Sequence, residues 1–121
     1  MQIADFKINS SSPVFIIAEM SANHNGDLET AIETIRAAKR AGADCIKFQT
    51  YTADTITIDC NNDDFLIKGT IWDGRNLYGL YQEAYTPWDW HEELFSLADS
   101  LGLDAFSSPF DHTDVEFLET L

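Results

Sequence analysis

The sequence predicts an α/β fold with parallel strands, and three observations carry that expectation. Short continuous apolar runs recur at residues 14–19, 43–49 and 104–108, segments with helical apolar spacing alternate with them, and each run ends in polar side chains. With 121 residues, 45% of them hydrophobic, the chain is long enough to bury a core of its own.

Residues 2–8 alternate enough for a short extra strand, and residues 10–13 (Ser10, Ser11, Ser12, Pro13) form a turn-like connector. The run Val14-Phe15-Ile16-Ile17-Ala18-Glu19 has the pattern of a strand buried on both faces and ends in a carboxylate. Asp27 then opens a helix with Leu28, Ala31, Ile32, Ile35 and Ala38 spaced by three and four, and Gly42 closes it. Residues 43–49 form the second strand. Residues 51–85 hold Asp59, Asn61, Asn62, Asp63 and Asp64 with few periodic apolar positions, and a stretch of that length is usually functional or mobile. Thr86 is expected to cap a helix reaching Leu101, with Pro87 in the first turn and Trp88, Leu94, Phe95 and Ala98 as apolar positions. Residues 104–108 form the third strand, and Thr113, three before Glu116, opens a further helix carrying Val115, Phe117 and Leu118.

Strand and helix thus alternate as βαβαβα, which two architectures satisfy: an open doubly wound sheet, or the first three units of an eight-unit barrel of about 250 residues. Met20-Ser21-Ala22-Asn23-His24 follows the first strand where a dinucleotide fold would have a glycine-rich turn, which weakens the open-sheet reading. In a barrel, residues 2–8 would close the bottom.

Seven basic against 21 acidic residues give a net charge of -14, which repels nucleic acid and also repels a small anionic substrate. An anion would therefore need locally placed cations. No apolar run reaches membrane-spanning length, and the first fifteen residues carry Asp5, Lys7 and three serines instead of a signal sequence. Cys45 in an apolar run and Cys60 in a polar loop read as free thiols, which suits a reducing cytoplasm.

The candidate site lies at the strand ends. Side chains alternate along a strand, so Lys47 and Gln49 share one face while Ile46 and Phe48 share the other. A lysine between Ile46 and Phe48 either reaches solvent at the strand end or meets an anion in a pocket. Glu19 reads as a structural partner of that lysine, as a functional group, or as both. Ser107 and Ser108, before Pro109, either bind a ligand or cap the next helix. His24 in Asn23-His24-Asn25-Gly26 reads as a loop organiser, and His91 and His112 as helix residues. These histidines lack ligand spacing, so the chain alone is not expected to make a metal site. Asp63 and Asp64 fit a solvated loop. Trp72, Trp88 and Trp90 fit packing, with those near the long loop also placed to line a sugar site.

Four ordered segments together resemble the N-acetylneuraminate (sialic acid) synthase family. They are Phe15-Ile16-Ile17-Ala18-Glu19, Asn23-His24-Asn25-Gly26-Asp27, Ala41-Gly42-Ala43-Asp44 leading to Lys47-Phe48-Gln49-Thr50, and Phe106-Ser107-Ser108-Pro109-Phe110. Within the family, Glu19-Met20-Ser21-Ala22-Asn23-His24 and residues 77–91 look like the branch acting on diacetamido-trideoxy-altrose rather than on N-acetylmannosamine or the legionaminic precursor. Ser108 stands where the family usually has threonine.

The resemblance implies an α/β protein whose residues 1–121 are the N-terminal portion, about three β/α units, of a TIM (β/α)8 barrel. The rest of the barrel and an antifreeze-like C-terminal domain would lie beyond Leu121, leaving this segment inactive and prone to associate or unfold by itself. It implies condensation of phosphoenolpyruvate with an open-chain acetamido sugar, releasing phosphate, in a cytoplasmic homodimer. Lys47 would bind phosphoenolpyruvate, Ser107 and Ser108 would serve the substrate site, Gln49 would contact the sugar, and Glu19 would handle a proton. A divalent metal, manganese or magnesium, would be held by residues outside this chain. A non-catalytic α/β domain that binds an anion or a partner protein is the rival from another class.

Overall fold

The computed structural model describes residues 1–3 and 5–121. Its centre is a parallel three-stranded sheet of β3 (Ile17–Glu19), β4 (Cys45–Thr50) and β5 (Asp104–Pro109), in that spatial order. The order advances in one direction, as successive barrel strands do, without the reversal that marks a doubly wound switch point. Ahead of it, β1 (Gln2–Ile3) and β2 (Phe6–Lys7) pair antiparallel within the expected extra strand, of which Ala4 lies outside the described residues. Phe6 packs on Phe15 with ring centroids 5.0 Å apart, and both border a hollow with Ala43, Asp44 and Asp104, at the N-terminal ends of the strands.

Between β3 and β4 runs α1 (Leu28–Arg40). Asp27 caps it by accepting from the Thr30 hydroxyl at 2.6 Å and the Thr30 amide at 2.8 Å, and those bonds, the hydroxyl's first, hold the Asp27 carboxyl below its ordinary range. Gly42, at φ +90°, takes the left-handed conformation that lets the chain turn back into β4. Lys39 ties this end to the neighbouring unit by donating to the Gly102 carbonyl at 2.8 Å.

The segment joining β4 to the next helix layer is more ordered than its sequence suggests. It holds α2 (Ala53–Ile56), a 3-10 turn at Asp63–Phe65, a bridge between Leu66 and Asn76, and α3 (Leu77–Ala84), which Asn76 caps through the Gly79 amide. The next helix begins later than expected. A 3-10 turn at Trp88–Trp90 precedes α4 (His91–Ser100), and Thr86, expected as the cap, is buried with its hydroxyl against His24 instead. Likewise α5 (His112–Leu118) is capped by Asp111 in a reciprocal box with Asp114, so Thr113 is inside the helix.

Helices α1 and α4 cover one face of the sheet. Met20, Ile46 and Phe48 are fully buried there against Ala31, Ile35, Leu94 and Ala98, and each large side chain so buried contributes about 1.5–3 kcal/mol. The first strand departs from expectation, since Val14 is 82% exposed and Ile16 and Ile17 are also open. The cause is position: among the described residues β3 has a ladder partner on one side only.

Candidate active site

Register decides which side chains meet. In a parallel ladder, paired residues point the same way, so Glu19, Lys47 and Phe106 form one row across the sheet and Gln49 and Ser108 lie in the next row toward the C-terminal rim. This face lies opposite the helix-covered one. The Lys47 ammonium donates to Glu19 Oε2 at 3.0 Å, with 27% of the lysine side chain and 41% of the glutamate side chain exposed. The pair is half-buried at the tips of two adjacent strands, open enough to admit a ligand and shielded enough for charge to matter.

Beside it, Gln49 Oε1 accepts from the Ser21 hydroxyl at 3.0 Å. Ser21 sits at φ +47°, a strained conformation for a residue with a side chain, immediately past the first strand tip. That turn aims the hydroxyl at Gln49, and holding Oε1 this way leaves the amide N–H groups of Gln49 free to be presented elsewhere. Ser21 was not singled out as a site residue in the sequence, where it stood only within the segment Glu19-Met20-Ser21-Ala22-Asn23-His24.

Ser107 does not join this group. Adjacent to Ser108 on a strand, it must face the other way, and its hydroxyl meets Thr50 Oγ1 at 2.6 Å beneath the helices. Thr50 in turn meets His91 Nε2 at 2.8 Å, and His91 Nδ1 lies 3.2 Å from the Pro87 carbonyl. A carbonyl only accepts, so His91 Nδ1 carries the proton and Nε2 accepts from Thr50, whose oxygen accepts from Ser107. Burial lowers the His91 pKa, in keeping with a neutral ring. Ser107, expected among the substrate-binding groups, thus stands apart from Lys47, Gln49 and Ser108, and its hydroxyl ties β5 to β4 and, through Thr50, to α4.

His24 is the loop organiser that its sequence setting suggested. It is fully buried, accepts from the Gly26 amide at Nδ1 (3.0 Å), meets Thr86 through Nε2 (3.2 Å) and lies edge-on to Trp90. Burial lowers its pKa as well. Both buried histidines thus have both ring nitrogens engaged, and no group of three His, Cys, Asp or Glu among the described residues is placed to hold a metal.

Above Gln49 the long segment walls a hollow of about 420 Å³, lined by Ser21, Gln49, Tyr51, Trp72, Tyr81 and Phe110 among others. Tyr51 is buried edge-on to Tyr81 and Phe110, and burial, then the neighbouring Tyr81, pushes its hydroxyl up to about 12, so it stays a neutral donor. Cys45 lies lower on the Lys47 face, and burial with Asp104 and Asp44 nearby raises its thiol to about 11. Both cysteines are free, and no helix among the described residues is long and apolar enough to cross a membrane.

Successive parallel β/α units with charged and amide groups gathered at the C-terminal strand tips define part of a (β/α)8 barrel, in which that rim is the usual seat of catalysis. The chain belongs to the NeuB family, whose model matches residues 34–121. It is 55% identical over 119 residues to pseudaminic acid synthase of Campylobacter jejuni subsp. jejuni serotype O:2, covering 98% of this chain and 34% of that protein. It is 38% identical over 112 residues to N,N'-diacetyllegionaminic acid synthase of Legionella pneumophila, covering 93% and 32%. The crystal structure of N-acetylneuraminic acid (sialic acid) synthetase from Leptospira borgpetersenii, in complex with citrate, matches with a TM-score of 0.74 and 29% identity over 99% of this chain and 37% of that one. The chain therefore spans about a third of the length of the curated relatives it matches.

Proposed function

We propose that the protein carrying this segment condenses phosphoenolpyruvate with an open-chain diacetamido-trideoxy-altrose to give pseudaminic acid, a nine-carbon 2-keto acid, with release of phosphate. The observation that carries the reading is the Lys47–Glu19 pair, 3.0 Å apart on adjacent strand tips, with Gln49 and Ser108 on the same face. In a chain of net charge -14, an anionic substrate needs a cation in a shielded place, and Lys47 is one. The higher identity to a pseudaminic acid synthase than to a legionaminic one supports the choice of sugar.

In this reading Lys47 draws the substrate anion to the rim and Ser108 hydrogen-bonds it, while Gln49 uses its free N–H groups on the sugar. Carbon 3 of phosphoenolpyruvate attacks the sugar aldehyde, water adds at carbon 2, and the tetrahedral intermediate collapses with loss of phosphate. Glu19, next to the cation, handles a proton at the reacting carbons. A divalent metal, manganese or magnesium, would be bound by residues outside this segment and would polarise the aldehyde. A cytoplasmic homodimer completes the proposal, and the free cysteines suit that compartment.

The test is phosphate release by the full-length protein, given phosphoenolpyruvate with either diacetamido-trideoxy-altrose or N-acetylmannosamine. Turnover of the first sugar is expected. Preference for N-acetylmannosamine would overturn the choice of sugar, and no release with any acetamido sugar would overturn the reaction.

A further inference from the structure

The long segment after β4 ends in a closed loop whose construction has no role in the core. Ile67 and Arg75 pair through the Ile67 amide at 2.9 Å, the Gly74 amide returns to the Ile67 carbonyl at 3.0 Å, and Leu66 bridges Asn76. At its tip the Trp72 amide donates to Thr70 Oγ1 at 3.1 Å. The base is pinned by Asn76, which donates to Asn61 at 2.7 Å while capping α3. The tip therefore has a defined place.

The loop exposes two large apolar side chains, Ile71 and Trp72, and of these Trp72 is the one that lines the hollow above Gln49. It remains 42% exposed, yet it is gripped: the Arg75 guanidinium lies over its ring, 5.7 Å from the centroid, and forks onto both carboxylate oxygens of Glu83 on α3. An aromatic ring left open gains little from packing, so holding it under Arg75, itself anchored on Glu83, gives it a fixed face on which something can rest. Its indole borders the 420 Å³ hollow above Gln49, opposite the strand tips. The pairing of Arg75 with Glu83 also neutralises the wall, in a chain that is otherwise strongly acidic.

We propose that Trp72 is a specificity residue, forming with Tyr81 and Phe110 an apolar wall that receives the methyl-bearing side of the sugar while Gln49 and Ser21 meet its polar side. This rests on the proposed reaction and names how the sugar is chosen. A diacetamido-trideoxy sugar presents acetamido methyls and a deoxy methyl, which an aromatic wall accepts. A sugar with hydroxyls in those places would bury them without partners. Arg75 and Glu83 act through Trp72 as positioning residues.

The experiment uses the full-length protein and its Trp72→Ala and Trp72→Phe variants, with each substrate varied in turn. Trp72→Ala is expected to raise KM for the sugar about tenfold, the scale of one lost apolar contact, with KM for phosphoenolpyruvate unchanged. Trp72→Phe should recover most of the loss, and sugar alone should quench tryptophan emission in the parent protein but not in Trp72→Phe. An unchanged sugar KM in Trp72→Ala, or equal rises for both substrates, would overturn the assignment. Absence of turnover in the unsubstituted protein would instead refute the reaction, and this inference with it.

Discussion

Replacing Lys47 by Met separates a structural ion pair from a binding cation, because the two roles predict losses of different size. At 3.0 Å a unit charge pair is worth about 5 to 6 kcal/mol at an effective dielectric of 20 and about 1.4 kcal/mol in water. With 27% of the lysine and 41% of the glutamate side chain exposed, solvent screening pulls the value to the low end, near the roughly 0.2–1 kcal/mol of open pairs. The methionine keeps the apolar stem between Ile46 and Phe48, so unfolding free energy should fall by about 1 kcal/mol or less. Loss of a cation that grips a desolvated anion costs about 2 to 5 kcal/mol, or roughly 30-fold to several-thousand-fold in kcat/KM. The assay is phosphate release by full-length Lys47→Met with phosphoenolpyruvate varied, beside urea unfolding of the same preparation. Parent-like kcat/KM for phosphoenolpyruvate would refute the reasoning, as would a stability loss above about 3 kcal/mol, the scale of breaking a buried pair.

Thr50→Val keeps the shape of a fully buried side chain but strands both the His91 acceptor and the Ser107 hydroxyl; a stability loss of about 2–4 kcal/mol in urea unfolding is expected. The two serines should part company: Ser108→Ala should raise KM for phosphoenolpyruvate with little change in stability, whereas Ser107→Ala should lower stability by about 1 kcal/mol and leave KM alone. Acid should weaken the fold through His91 and His24, whose folded pKa values are depressed below the ordinary 6.5 by burial. Because the unfolded chain takes up those protons first, their contribution is complete above about pH 6.5 and declines as pH falls toward the folded values. Urea midpoints at descending pH should show this decline, and His91→Gln should flatten part of it.

The strands and the first helix were legible because their signals are local. The helix after Asp27 has a capping carboxylate, three-and-four apolar spacing and a closing glycine, and Leu28–Arg40 follows them. Lys47 and Gln49 were placed on one face by alternation alone, which the register bears out. The same rule, applied to adjacent Ser107 and Ser108, would have separated them; what hid it was that both are hydroxyls at a strand end. Helix α3 was missed because Gly79 and the aromatics of Leu77–Ala84 dilute helical propensity, and tertiary packing together with the Asn76 cap supplies the rest. The starts at Thr86 and Thr113 were misread since both residues can cap, while the winners were decided by distant partners: His24 took Thr86, and Asp111 outcompeted Thr113. The exposed face of the first strand was illegible for a related reason, as an apolar run shows what a strand can bury but not how many neighbours it has.

Alternation in β4 and β5 has a consequence for how such a protein can diverge. Ile46, Phe48 and Thr50 answer to the helices, whereas Lys47 and Gln49 face the opposite side near the rim, and the loop bearing Trp72 is pinned to α3. Replacements at Lys47 and Gln49 thus disturb the helix-covered core little. The packed scaffold and the rim can therefore drift separately, each under its own selection.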